Sequence, residues 1–196
     1  MVKRLRLAPW ISIPAYQLFG TDKLERLMIT WPSVGEHKDY LTGIPNRQAY
    51  EQAIELAVKE SARQNAGFGL IVLDLDKFKS VNDQYGHLTG DAVLKEFSDR
   101  AVKVLRENDF FARYGGEEFV ILTPCHDKTF EIGERVRQAV CGVPFNVNRL
   151  NIEVTCSFGC AIYPIGGFTA KEVFQKADDA LYQAKKNGRN QGCTGD

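Results

Sequence analysis

FFARYGGEEFVIL, residues 110–122, sets two glycines and two glutamates between two runs that read as buried strands. Acidic pairs are disfavoured inside sheets and glycine weakens strand interiors, so something must offset both. Gly115 and Gly116 permit positive φ and let a bulky ligand approach the backbone. The closeness of the two runs makes them a hairpin, with Glu117 at the lip of the second strand. Taken alone, the stretch fits a plain hairpin with solvated glutamates equally well.

Working outward, FGLIVLDLD (68–76) is a continuous apolar run ending in acids, which reads as a central strand. KFKSVNDQYGHLTGD (77–91) reads as a loop with helical turns. Asp91–Leu105 follows as an amphipathic helix, and a further helix spans about 127–140. LNIEVTCSFGCAI (150–162) alternates strictly and is the clearest strand in the chain, with Leu150 to Ile162 sharing one face at every second residue. Thr169 and Glu172 form a capping box that opens a last helix, closed by Asn187-Gly188. Upstream, DYLTGIPNR (39–47) leads into a first helix ending near Gln64. After that helix the order is β-α-β-β-α-β: an α+β, ferredoxin-like sheet. The division is a connector or appendage over 1–38, with a short helix at Thr21–Ile29, then a domain over 39–192 and a tail over 193–196.

Lys plus Arg and Asp plus Glu both number 25, so nothing marks a nucleic-acid or membrane binder. Lys3, Arg4 and Arg6 form a short basic lead-in rather than a targeting signal. Five cysteines without a CxxC pair read as reduced thiols, not a disulfide framework or a zinc site. No apolar run reaches the roughly 18 residues of a membrane span. The expected location is the cytoplasm, alone or as the cytosolic end of something longer.

The acids carry the chemistry. Alternation puts Asp74 and Asp76 on one face, and with Glu117 opposite three carboxylates converge. Such like charges are costly unless a cation joins them. Mg²⁺ suits, completing its shell with water and substrate phosphates. A calcium loop of the EF-hand type is excluded, because Phe78 sits at its fifth position and Lys79 where its glycine belongs. Lys77 and Lys79 follow the acids, where a turn can form an anion nest. Lys185 and Arg189, at i and i+4 near the end of the last helix, reach the same anion or merely complement the helix dipole. Asn82 and Asp91 suit the hydrogen-bonding edges of guanine, although Asp91 fits a plain helix cap as well. His87 reads as structural.

DYLTGIPNR, DLDKFKSVND, YGHLTGD, RYGGEEF and ADDALYQAKKNGRN occur in order over about residues 39–190. In these motifs the chain resembles the GGDEF family of diguanylate cyclases, with the glutamate variant of the hairpin. The resemblance implies the palm form of the sheet, flanked by helices as in nucleotidyl cyclases. It implies Mg²⁺ (or Mn²⁺) on Asp74, Glu117 and the Leu75 carbonyl. It implies GTP phosphates against Phe78, Lys79, Lys185 and Arg189, guanine against Asn82 and Asp91, and Gly115 and Gly116 lying against GTP. Glu118 would aid the 3′-hydroxyl or the hairpin itself. Two GTP would give cyclic di-GMP and two pyrophosphates in a C2 homodimer holding one GTP per domain. Asp91 argues against the branch that makes mixed GMP–AMP dinucleotides. Arg106 and Asp109 match the family's RxxD product-inhibition site, completed by Arg135 or Arg137. The competing expectations are a silent domain that serves as a cyclic di-GMP receptor, and a metal-free interaction module. Magnesium-dependent GTP binding separates them.

Overall fold

The computed structural model describes residues 25–147 and 149–195. Ala66–Leu75 (β2) is buried along its whole length. That explains its unbroken apolar run: helices cover both faces of the sheet. The main sheet runs Phe110–Gly115 (β3), Glu118–Thr123 (β4), β2, Cys156–Tyr163 (β7), Gly192–Thr194 (β8). β2, β4, β3 and β7 pair antiparallel, which is the ferredoxin-like order expected from the sequence. Glu25–Arg26 (β1) adds in parallel at the start of β2.

One face packs on His87–Val104 (α3) and Thr129–Cys141 (α4) through Phe97, Phe119, Ile121, Val136 and Phe158. The other packs on Arg47–Gln64 (α1) and Ala170–Lys186 (α5) through Tyr50, Ile54, Leu70, Val120 and Leu181. Asn46 caps α1 by accepting from the Ala49 amide, and the Thr169–Glu172 capping box is formed as expected. No helix among the described residues is long and apolar enough to cross a membrane.

Four expectations change. Residues 77–91 are two helices rather than a loop: Phe78–Tyr85 (α2), then α3 from His87, with Gly86 at φ 82° between them. Asp91 therefore lies a turn inside α3 and caps nothing. The alternating stretch 150–162 is two strands. Leu150–Ile152 (β6) pairs with Phe145–Val147 (β5) in a separate ribbon, and β7 begins only at Cys156. The alternation runs on because Ile152, Val154, Cys156 and Phe158 all enter one core. Leu150 is exposed, and the opposite side of β7 is no solvent face. There α5 lies so close that a Cβ on Gly159 would stand 2.1 Å from the Ala177 carbonyl.

The expected helix at Thr21–Ile29 is the third change. Residues 21–24 lie outside the described residues, and 27–29 are not helical. Leu27 is in the core, and Ile29, Trp31 and Val34 pack beside it. The fourth concerns α5, which ends at Lys186, so Arg189 lies past the helix rather than one turn along it.

Candidate functional site

The site lies at the end of β2 where the chain leaves the sheet. Asp74 pairs across the sheet with Glu118, and the Leu75 amide donates to the Glu117 carbonyl at 3.3 Å. Asp74 is only 8% exposed. Burial pushes its carboxyl up to about 6; the Lys185 ammonium opposes this, and the Glu117 and Glu118 charges add to it. Lys185 Nζ stands 2.8 Å from Asp74 Oδ2. A buried carboxylate facing two more and held by one ammonium is a place that favours added positive charge.

Asp76 does not join this group, against the expected convergence of three carboxylates. Its Oδ1 accepts from Ser157 Oγ at 2.7 Å; its Oδ2 accepts from Thr155 Oγ1 at 2.7 Å and the Asn190 amide at 3.0 Å. It ties the end of β2 to β7 and to the turn after α5. Among the described residues no three His, Cys, Asp or Glu side chains cluster as metal ligands. The fit for a divalent cation rests on Asp74, Glu117 and a backbone carbonyl, with the Lys185 ammonium marking where positive charge is accepted.

The hairpin turn is open. A Cβ on Gly115 or Gly116 would meet nothing, so only the φ of 52° at Gly116 demands glycine for the backbone's sake. The ring of Phe78 is buried in the core. What it presents at the start of α2 is its N–H, one of the amides a helix leaves free. Lys79 is exposed. Asn82 of α2 meets α3 at Gly90, where a Cβ would stand 1.9 Å from Asn82 Oδ1. This close crossing brings α2 against α3 at the residue before Asp91. Arg189, at φ 66°, lines a cavity of about 590 Å³ with Lys77, Ser80 and Tyr85. Arg189 and Lys185 thus do not share one grip: Lys185 is on Asp74.

Sequence reading missed the brace behind the hairpin. Arg113 donates through Nε and Nη2 to the Gly116 carbonyl at 2.9 and 2.7 Å. Its Nη1 donates to both oxygens of Asp39 at 3.1 and 3.2 Å. Asp39 also accepts from the Thr42 amide and hydroxyl. Burial alone would raise the Asp39 carboxyl, but Thr42 and Arg113 outweigh it and hold it below the ordinary range. Both residues stand in recognisable motifs, yet nothing in either motif says that they pair. Arg113→Ala takes the charged partner from a partly buried Asp39, which keeps only its Thr42 bonds, and costs about 1.5–3 kcal/mol of stability in urea unfolding. A loss under about 1 kcal/mol would mean that solvent screens the pair.

Upstream of β3, the Arg106 amide donates to Asp109 Oδ2 at 3.0 Å and the Asp109 amide to the Arg106 carbonyl at 2.9 Å, forming a closed turn. Asp109 Oδ1 and Arg135 Nε and Nη2 are buried without a hydrogen-bond partner. Arg137 is committed elsewhere, to Glu134 and, at 2.6 Å, to Asn190 Oδ1.

The family model described as "Diguanylate cyclase, GGDEF domain" matches residues 36–191. The chain is 43% identical over 156 residues to Diguanylate cyclase DgcP of Pseudomonas aeruginosa, covering 78% of this chain but 23% of that protein. The GGDEF domain of DgcB from Caulobacter crescentus, solved in complex with c-di-GMP, superposes with a TM-score of 0.76 at 32% identity, covering 82% of this chain and 96% of that one. The active GGEEF domain of a diguanylate cyclase from Vibrio cholerae gives 0.72 at 32% identity, covering 77% and 97%. With the hairpin, the acid-ended strand and the whole sheet in agreement, this chain belongs to the GGDEF family.

Proposed function

We propose that the chain is a diguanylate cyclase joining two GTP into cyclic di-GMP with release of two pyrophosphates. One observation carries this reading: a buried Asp74, facing Glu117 and Glu118, with a cation already drawn to it. Asp74, Glu117 and the Leu75 carbonyl would hold Mg²⁺ or Mn²⁺. That ion supplies charge stabilisation on the reacting phosphate when bound. The Phe78 and Lys79 amides at the start of α2 and the Lys79 ammonium receive the phosphates. Lys185, beside Asp74, and Arg189, in the turn beyond α5, would meet the phosphates from separate positions. Asn82 and Asp91 would orient guanine where α2 meets α3. The open turn at Gly115 and Gly116 leaves room for the nucleotide, and Glu118 steadies the 3′-hydroxyl or the hairpin.

In the reaction the 3′-hydroxyl oxygen of one GTP attacks the α-phosphorus of the other. An O–P bond forms, the bond to pyrophosphate breaks, and the hydroxyl proton is released. The second bond forms in the reverse sense. Positioning is the domain's main contribution, since each domain holds a single GTP. Two domains must therefore face each other about a C2 axis. The Arg106–Asp109 turn would serve as the product-inhibition site, and the buried unpartnered atoms of Arg135, with Arg137 committed to Glu134 and Asn190, favour Arg135 as the completing arginine.

The test is turnover of GTP with Mg²⁺ over a range of protein concentration, with chromatography of the product. Cyclic di-GMP rising more steeply than protein supports a cyclase limited by pairing. Bound GTP or cyclic di-GMP with no product at any concentration would make the domain a receptor. In the same assay Arg106→Ala is expected to raise the inhibition constant for cyclic di-GMP by about tenfold or more, from loss of a charged hydrogen bond of about 1.5–3 kcal/mol, while initial rate is kept. An unchanged constant removes Arg106 from the inhibitory site.

A further inference from the structure

The chain that follows β1 is strapped to the domain beside the Arg106–Asp109 turn. Residues 27–34 run along it without helix or strand. Leu27 is 1% exposed, in the core. The Gln64 side chain grips the next residue by both backbone groups. Its Oε1 accepts from the Met28 amide at 3.0 Å, and its Nε2 donates to the Met28 carbonyl at 2.9 Å. Three residues on, Trp31 lays its ring against Phe110, the first residue of β3, with centroids 5.6 Å apart. Its indole Nε1 donates to the Asn108 carbonyl at 2.8 Å. A half-buried indole normally finds an acceptor; here the acceptor belongs to the turn rather than to the strap or the core. The peptide joining Asn108 to Asp109 is thereby held on both sides, its carbonyl by Trp31 and its N–H by the Arg106 carbonyl at 2.9 Å. That peptide aims the Asp109 side chain, whose Oδ1 is buried without a partner. A cavity of about 170 Å³ is lined by Met28 and Ile29 of the strap and by Asn108 of the turn. Trp31 therefore bridges a gap that packing does not fill.

We propose that Trp31 is a positioning residue for the product site: by holding the Asn108–Asp109 peptide it keeps the turn in one shape, so the strap sets how tightly the turn takes cyclic di-GMP. The indole acts through the backbone of the turn and has no part among the reacting groups. A turn ordered in advance loses less freedom on binding. Released from Trp31, the same turn must be ordered by the ligand, and affinity falls by up to the worth of the lost bond. Linkage makes the effect reciprocal: product on the turn strengthens the hold of the strap by the factor by which the strap strengthens product binding. Anything that draws the strap off the domain would therefore raise the product concentration needed for inhibition.

This rests on the reading of the Arg106–Asp109 turn as the product site. The sequence has two tryptophans, so Trp10→Phe leaves Trp31 as the one reporter. Its emission is titrated with cyclic di-GMP, and the same titration is followed by calorimetry. The expected result is a change in Trp31 emission that saturates with the calorimetric Kd and is lost in Arg106→Ala. Trp31→Phe keeps a ring on Phe110 and removes the N–H donor. It is expected to weaken cyclic di-GMP binding by about two- to tenfold, the worth of one neutral hydrogen bond, while initial rate and KM for GTP are kept. Val34→Ala trims the packing of the strap but leaves the bond, and should keep the parent's Kd. Equal Kd in Trp31→Phe and the parent, flat emission while calorimetry records binding, or the same weakening in Val34→Ala would overturn the role of Trp31. No calorimetric binding to the parent, or binding untouched by Arg106→Ala, would overturn the product-site reading and this inference with it.

Discussion

Glu117→Gln lowers magnesium-dependent GTP turnover by about a thousandfold or more and leaves the fold intact. Glu117 sits in the turn between β3 and β4, and its carbonyl, which the substitution keeps, accepts from Leu75. The hairpin register and the core beneath it do not involve the side chain. Glutamine is of the same size but cannot supply the charge a divalent cation needs. Metal-assisted charge stabilisation is worth several kcal/mol, and about 1.4 kcal/mol is a tenfold change in rate. Circular dichroism and thermal unfolding should match the parent protein while the product vanishes. Turnover within about tenfold of the parent would remove Glu117 from the metal site.

Asp74→Asn abolishes turnover too, but it stabilises the metal-free protein. In the folded state this carboxyl is raised from 3.8 to about 6, chiefly by burial. A carboxyl raised in the folded state binds its proton more tightly there than in the unfolded chain. Its contribution to stability is therefore complete below about pH 3.8 and lost as pH rises through about 6. At neutral pH the charged form costs about 3 kcal/mol. Asparagine carries no such cost, so the gain over the parent is near zero at pH 4 and reaches its full value above pH 7. Urea unfolding in the presence of a chelator, at those two pH values, measures it. Added Mg²⁺ and GTP should narrow the gap, since only the parent binds them well. A variant less stable than the parent at pH 7.5 would show that the Lys185 pairing outweighs burial. The site is thus held at the expense of local stability, as expected where function needs charge.

The sheet could be read from the sequence because its signals are local and apolar. β2 announces itself by nine residues of strand-like composition, and the hairpin by two glycines between apolar runs. The α2 helix could not, because Lys-Ser-Val-Asn-Asp has weak helical preference and the helix depends on burying Phe78 and Val81. The break after Ile152 was hidden because both pieces face the same core. At the site, charge placed at strand ends singles out Asp74 and Glu117, and in the structure the Glu117 charge acts on Asp74. Asp76 looked identical in sequence and proved structural, because its partners Thr155, Ser157 and Asn190 lie 79 or more residues away. The Lys185–Asp74 and Arg113–Asp39 pairs escaped for the same reason, as did the separation of Lys185 from Arg189 where α5 ends.

The Arg113 side chain also fixes how the molecule moves. One guanidinium grips the Gly116 carbonyl at the tip of the hairpin and the Asp39 carboxylate in the stretch leading to α1. The Arg113 amide further donates to the Pro45 carbonyl at 2.9 Å. The hairpin tip and the lead-in to α1 are therefore one stiff strut. A torque on residues 36–45 turns the hairpin tip with them, or else breaks a charged bond largely shielded from water. In mechanical terms the hairpin turn at Gly116 is the far end of a lever whose handle lies just before the first helix.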